Sequence, residues 1–263
     1  MAVLTALGVG VLVGVVVGAL GAGGGILSVP ALIYLLGQDP HDASAGSLVV
    51  VGLTAIVSLI APARAGRVHW RDGATFGLLS VLGALVGSRA SVAVDGTVLL
   101  TLFCVMLAVV GVVMLLRGLR SRPGADDGEG SGTGGGSERR GLLVVAAAAT
   151  FTGFLTGFFG VGGGFIVVPM LVLALGFPMK EASGTSLLVM IVASSAGLAA
   201  RVGTHSNVDW PVVLTFAAAS MVGGLLGGPL TKRASASTLT TAFGILLLGV
   251  CAMTAYNLLA PSV

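Results

Sequence analysis

The sequence predicts an all-α integral membrane protein built from two inverted repeats. Each repeat is expected to contain a glycine-broken helical hairpin with a short half-helix, then three transmembrane helices. Three observations carry this. Mean hydropathy is +1.08, and 56% of the 263 residues are hydrophobic against 9% charged, which excludes an ordinary soluble domain. The apolar runs are continuous rather than alternating, and aromatic residues make up only 5%, which favours helices over a barrel with aromatic girdles. Finally, Gly21-Ala-Gly-Gly-Gly-Ile-Leu-Ser-Val-Pro30 returns as Gly160-Val-Gly-Gly-Gly-Phe-Ile-Val-Val-Pro169, 139 positions later.

In the first copy, apolar segments cover 2–20, 26–36, 44–61, 73–93 and 97–117. The first lacks a basic n-region and runs straight into the glycine pattern, so it reads as a retained element rather than a cleaved signal peptide. The second copy repeats the series at 141–159, 165–175, 183–200, 210–229 and 237–259. Between them, Ser121 to Glu138 is rich in Gly, Ser and acidic residues, a flexible solvated linker. The expected units are therefore a first membrane repeat over 1–120, a cytoplasmic linker over 121–139 and a second repeat over 140–263.

Matches extend beyond the glycines. Pro30 aligns with Pro169, Gly37 with Gly176, and Ser47-Leu48 with Ser186-Leu187. At an offset of 140, Val68-His69-Trp70 aligns with Val208-Asp209-Trp210, Gly83 with Gly223, Gly87 with Gly227, and Phe103 with Phe243. Matches at nearly constant offset mark an internal repeat.

The segment after each glycine pattern is too short to span, since about 11 residues at 1.5 Å each reach only about half a bilayer. A hairpin follows: one segment enters, the glycines turn, and the half-helix returns. Three further crossings per copy are odd in number, so the second copy is inverted. Charge supports this. With the linker inside and the copies inverted, Arg64, Arg67, Arg71, Arg117, Arg120, Arg122, Arg139, Arg140, Lys180, Lys232 and Arg233 face the cytoplasm, and only Arg89 and Arg201 face out. Parallel copies would move Lys180, Lys232 and Arg233 outside, against the positive-inside rule.

Each half-helix start presents free N–H groups and the positive end of the helix dipole. Consecutive glycines let a ligand approach that backbone closely. Gly23, Gly24, Gly25, Gly162, Gly163 and Gly164 thus form an anion site without a buried cation. Inverted hairpins are expected to bring both tips together at the midplane. Hydroxyls at Ser47, Thr185 and Ser186 are candidates to complete the shell, while Ser44 and Ser183 read as helix caps. The remaining helical glycines, such as Gly14, Gly18, Gly83, Gly87, Gly223 and Gly227, read as packing positions.

No catalytic triad, CxxC or P-loop lysine is present, and GxGGG lacks the βαβ surroundings of a dinucleotide site. The chain reads as no enzyme, with no cofactor and no metal site. The net charge of +3 marks cytoplasmic loops rather than nucleic-acid binding. Cys104 and Cys251 read as packing thiols. The expected partners are a small anionic substrate and the lipid bilayer; a homo-oligomer is left open.

The doubled GAGGGILSVP and GVGGGFIVVP pattern, with Lys180-Glu-Ala-Ser-Gly-Thr-Ser-Leu187, the weaker His41-Asp-Ala-Ser-Ala-Gly-Ser-Leu48, and Trp70 and Trp210, resembles the sulfite exporter TauE/SafE family. The resemblance implies a multi-pass inner-membrane protein that exports sulfite, a sulfonate such as sulfoacetate, or a related anion. It carries to the six glycines and to Ser47, Thr185 and Ser186. The first copy has Ala45-Gly46 where the second has Gly184-Thr185, so the two half-sites differ. The alternative is an anion channel or uptake permease for a sulfur oxyanion or organic acid on the same scaffold. A membrane subunit that scaffolds a partner enzyme is a third reading, and it predicts no flux.

Overall fold

The computed structural model describes residues 2–21, 27–28, 31–32, 40–92, 94–120, 142–159, 164–200 and 209–259. Within these the protein is all-helical. The helices are α1 (Ala2–Leu20), α2 (Pro40–Arg64), α3 (Trp70–Val92), α4 (Gly96–Arg120), α5 (Leu142–Phe159), α6 (Gly164–Leu173), α7 (Met179–Ala200), α8 (Trp210–Arg233) and α9 (Ala236–Leu259). Parts of α2, α4, α7, α8 and α9 are long and apolar enough to cross a membrane. α3 has the length but carries Arg71, Asp72 and Arg89 near its ends. The expected linker and most of the first half-helix fall outside the described residues.

Local chemistry sets the helix ends. α2 closes in a Schellman motif, with Arg67 N–H donating to Pro62 C=O at 3.0 Å and Gly66 N–H to Ala63 C=O at 3.1 Å. Gly66 takes the left-handed φ of 67° that this motif requires. α8 starts on Asp209, whose Oδ1 accepts the Val212 N–H at 3.4 Å, and Pro211 follows in the first turn where no N–H is needed. Ser235 caps α9 by accepting the Thr238 N–H at 3.1 Å.

The two copies are interleaved. α1 packs most extensively on α8, and its repeat mate α5 packs on α3. α2 meets α8 as α7 meets α3, while the mates α2 and α7, and α4 and α9, pack on each other. The main contacts between copies thus have counterparts with the roles exchanged. Small residues make the closest pairs possible: Gly14 and Gly18 lie on the backbone of Ser220 and Gly224, and Gly153 and Gly157 on that of Ser80 and Ala84. A side chain at these points would push the helices apart, so the packing reading of Gly14, Gly18, Gly83, Gly87, Gly223 and Gly227 fits where they stand.

Contact order fixes helix direction. Gly10, Gly14 and Gly18 meet Phe216–Ala219, Ser220 and Gly224 in ascending order, so α1 and α8 run parallel. Gly83 meets Thr150 and Phe154, and Gly87 meets Phe154 and Phe158, so α3 and α5 also run parallel. The mates do the opposite. Gly52 faces Ser194, Gly184 faces Pro62 and Gly197 faces Leu48, which makes α2 and α7 antiparallel. Gly111 meets Leu247 and Leu248, Gly118 meets Thr241, and Cys251 Sγ bonds to Cys104 C=O at 3.3 Å, so α4 and α9 are antiparallel.

Two apolar clusters fill the bundle. One gathers Phe76, Leu107, Met114, Leu171, Phe243 and Leu247 around α6. The other gathers Val51, Ala55, Met190, Val213 and Phe216 around α2 and α8. Both faces that cover them are exposed and apolar on the outside, with Leu78, Leu82, Leu225 and Leu226 bare, as a lipid-facing surface requires.

Candidate functional site

α1 ends at Gly21, whose φ of 62° is one that side-chain-bearing residues rarely adopt. That residue lies directly on the first turns of α7: an added Cβ would meet Ser183 Cα and Oγ at 2.7 Å each. Ser186 Oγ–H is shared between Gly21 C=O at 2.9 Å and Ser183 C=O at 2.8 Å. Thus the break in the first copy is seated on hydroxyl-bearing turns of the second. Ser183, Thr185 and Ser186 are all buried.

The expected residues separate in three ways. Ser186 meets the edge of the first break. Thr185 sits on the same turn but faces α3, where its Oγ1 accepts the His69 N–H at 3.2 Å and its methyl packs on Gly73. Ser47 is buried on α2, beside Leu48, which packs on Gly197. From Ser186 to Gly197 is roughly 16 Å of helix at 1.5 Å per residue. One small anion cannot touch Ser47 and Ser186 together. Gly23, Gly24, Gly25, Gly162 and Gly163 lie outside the described residues; Gly164 opens α6.

The glycine tips themselves, 22–25 and 160–163, lie outside the described residues, but the registers of the helices that lead to them are fixed. Gly21 lies at the level of Ser183, and Gly73 on α3 lies at the level of Thr185. The end of α5, at Phe158, lies beside Gly87. From Gly73 to Gly87 is roughly 20 Å along α3. Parallel packing carries the described lengths of α1 along α8 and of α5 along α3. The approaches to the two breaks therefore stand near opposite ends of the bundle.

The helix starts correct the expectation for Ser44 and Ser183. α7 begins at Met179, where Pro178 C=O accepts the N–H groups of Glu181 at 3.0 Å and Ala182 at 2.9 Å. α2 likewise begins at Pro40. Neither serine stands at a helix cap, because each helix starts a turn earlier than its apolar run.

His69 stands in the loop between α2 and α3. Its Nε2 stands 2.9 Å from Glu181 Oε2 and its Nδ1 3.6 Å from Asp72 Oδ2. The ring also stacks on Phe177 at 4.8 Å between centroids. One side chain thereby ties the α2–α3 loop, the start of α7 and the stretch leading into it from α6. That stretch turns at Gly176, where φ is 72°, and Phe177 N–H bonds back to Leu171 C=O at 2.9 Å. The nearest sequence signal was the aligned Val-His-Trp and Val-Asp-Trp pair. Among the described residues, no three His, Cys, Asp or Glu side chains group to hold a metal ion.

Deeper in the bundle, Thr54 and Ser58 on α2, Ser194 on α7 and Ser28 carry buried hydroxyls with no hydrogen-bond partner among the described residues. Thr54 and Ser58 face Gly224 of α8, and Ser194 faces Gly52. Buried hydroxyls left unpaired cost free energy.

Apolar helices long enough to cross a membrane, interleaved between two copies, mark a multi-pass membrane protein. The chain belongs to the sulfite exporter TauE/SafE family, whose profile matches residues 6–254. It is 38% identical over 252 residues to a "Probable membrane transporter protein" of Xylella fastidiosa strain 9a5c, covering 94% of this chain and 92% of that one. It is 27% identical over 257 residues to "Probable membrane transporter protein YunE" of Bacillus subtilis, covering 91% and 92%. A third relative, "Probable membrane transporter protein MJ0441" of Methanocaldococcus jannaschii, is 26% identical over 241 residues, covering 86% and 85%. No solved structure matches.

Proposed function

We propose that the protein is a secondary transporter that exports a small sulfur-containing anion of the sulfite, sulfonate or sulfoacetate type. The observation that carries this reading is the seat of the first glycine break on the α7 hydroxyls, through Gly21 and Ser186. Backbone N–H groups of Gly23, Gly24 and Gly25 then supply one half of an anion shell, and Ser186 borders it. By the repeat relation, Gly162, Gly163 and Gly164 form the equivalent half-site with Ser47 at the other end. The anion passes between two unlike half-sites rather than resting in one central site. Thr185 acts by holding the His69 loop.

The antiparallel mates and the exchanged contacts support inverted repeats, the arrangement in which two halves rock around a path. In that arrangement 1–120 and 140–263 are the two copies, and 121–139 joins them in the cytoplasm. The unpaired hydroxyls of Thr54, Ser58 and Ser194 fall between the two levels and give a dehydrated anion donors along the way.

The test is flux. Reconstituted protein should carry radiolabelled sulfite, and Gly163→Val should abolish transport while leaving the protein monodisperse. Normal flux in that variant removes the second break from the path. Transport that is indifferent to an imposed proton gradient would favour the channel reading.

A further inference from the structure

A groove of about 410 Å³ lies between the end of α4 and the start of α9. Gly118 lets its two walls meet closely, since an added Cβ there would strike Thr241, both Oγ1 and backbone. Ser237 Oγ ties the walls by donating to Gly118 C=O at 2.6 Å. Along α9 the lining changes character. It begins with the hydroxyls of Ser237, Thr238 and Thr241 and continues with Ala242 and Ile245. Leu119 adds apolar surface from α4, and both Leu119 and Ile245 are exposed. The apolar spans of the two helices, Thr101–Arg120 and Ala236–Tyr256, both reach their edge here. The hydroxyls therefore fall at headgroup depth and the apolar part in the hydrocarbon.

Charge at this groove has one sign. The last turn of α4 carries Arg117 and Arg120. α8 ends in Lys232-Arg233, just before α9 begins. Neither α4 nor α9 contains an acidic residue. Arg120 is exposed and forms no ion pair among the described residues. The start of α9 adds the positive end of its dipole.

We infer that this groove binds an anionic phospholipid, with the phosphate at Arg120 and the α9 hydroxyls and an acyl chain along Ala242 and Ile245. A guanidinium fits phosphate as a bidentate donor. A zwitterionic lipid would bring its own ammonium against the same cations. A second copy of the chain meeting this face about a two-fold axis would do likewise, because the same patch would face itself. The lipid bridges α4 of the first copy and α9 of the second, which are repeat mates. The site does not depend on which cargo the protein carries.

The test uses the full chain purified in detergent. It is titrated with dioleoylphosphatidylglycerol, dioleoylphosphatidylcholine or inorganic phosphate, and followed by native mass spectrometry and melting temperature. The wild type should retain phosphatidylglycerol in preference to phosphatidylcholine and melt higher with it. Arg120→Gln should weaken that binding roughly fivefold, the effect of one basic residue near an anionic headgroup. Ala242→Trp, which fills the groove at an exposed position, should weaken it at least as much. Arg89→Gln, at the other end of the bundle, should leave it unchanged. Equal binding of the two lipids overturns the site. So does an equal loss in Arg89→Gln and Arg120→Gln, which would reduce the effect to general charge attraction. Unchanged binding in Ala242→Trp removes the groove from it. A full melting shift with inorganic phosphate alone, or a lipid-free dimer that Ala242→Trp dissociates, would also overturn the lipid as occupant.

Discussion

At the scale of single residues, Gly21 and Ser186 decide how the first break is held. Gly21→Ala combines a left-handed backbone with contact against Ser183. It should cost about 1–3 kcal/mol of stability, read as a drop in melting temperature in detergent. Ser186→Ala removes the one hydroxyl shown to bond the Gly21 carbonyl. A buried carbonyl left without its donor costs about 1–3 kcal/mol, and sulfite flux should fall because the break is no longer held. An unchanged melting temperature in Ser186→Ala would mean that the bond holds nothing. His69 gives the opposite expectation. Its ion pairs are with half-exposed groups, so His69→Ala should cost less than about 1 kcal/mol. Its effect should show instead as faster amide hydrogen exchange over residues 65–69, where the loop loses its tie to Phe177 and Glu181.

At the scale of helices, the glycines divide by what stands opposite them. Gly83 and Gly157 each touch backbone of the facing helix, whereas Gly8 and Gly249 face open space. Gly83→Val should therefore separate α3 from α5 and abolish folded protein or lower its melting temperature sharply, since backbone cannot yield as a side-chain tip can. Gly249→Ala should be neutral or stabilising by about 0.5–1 kcal/mol. Comparable losses in both variants would show that packing does not sort these positions. This contrast also marks what the sequence made legible. Hydropathy and the doubled pattern located nearly every helix, and the aligned Gly83 and Gly223 foretold paired close approaches. The depth of the breaks was not legible, because it depends on which helix α1 lies against. That partner, α8, is about two hundred positions away, and no local periodicity records it. The pairing of His69 with Glu181 and the seat of Gly21 on Ser183 are likewise long-range contacts, written in neither neighbourhood.

At the scale of the whole molecule, Trp70 and Trp210 stand near opposite ends of the bundle. They are repeat mates, both about half exposed, and each opens a helix. Trp70 lies just before Gly73, which faces Thr185, so it stands near the level of Ser183. Ser183 adjoins Gly184, which faces Pro62, and Ala61 faces Gly228 of α8. Trp210 is therefore some eighteen residues away along α8, roughly 27 Å. That separation matches the ~30 Å hydrocarbon core, at whose edges tryptophan is favoured. Arg64, Arg67, Arg71 and Lys180 gather toward the Trp70 end of the bundle and Arg89 toward the other, the distribution expected if the copies are inverted. The orientation can be measured in cells. With Cys104 and Cys251 replaced by alanine, single cysteines at Ser131, Arg64 and Lys180 should react with a membrane-impermeant maleimide only after the membrane is opened, and cysteines at Arg89 and Arg201 should react in intact cells. Labelling of the Lys180 position from the outside would make the copies parallel.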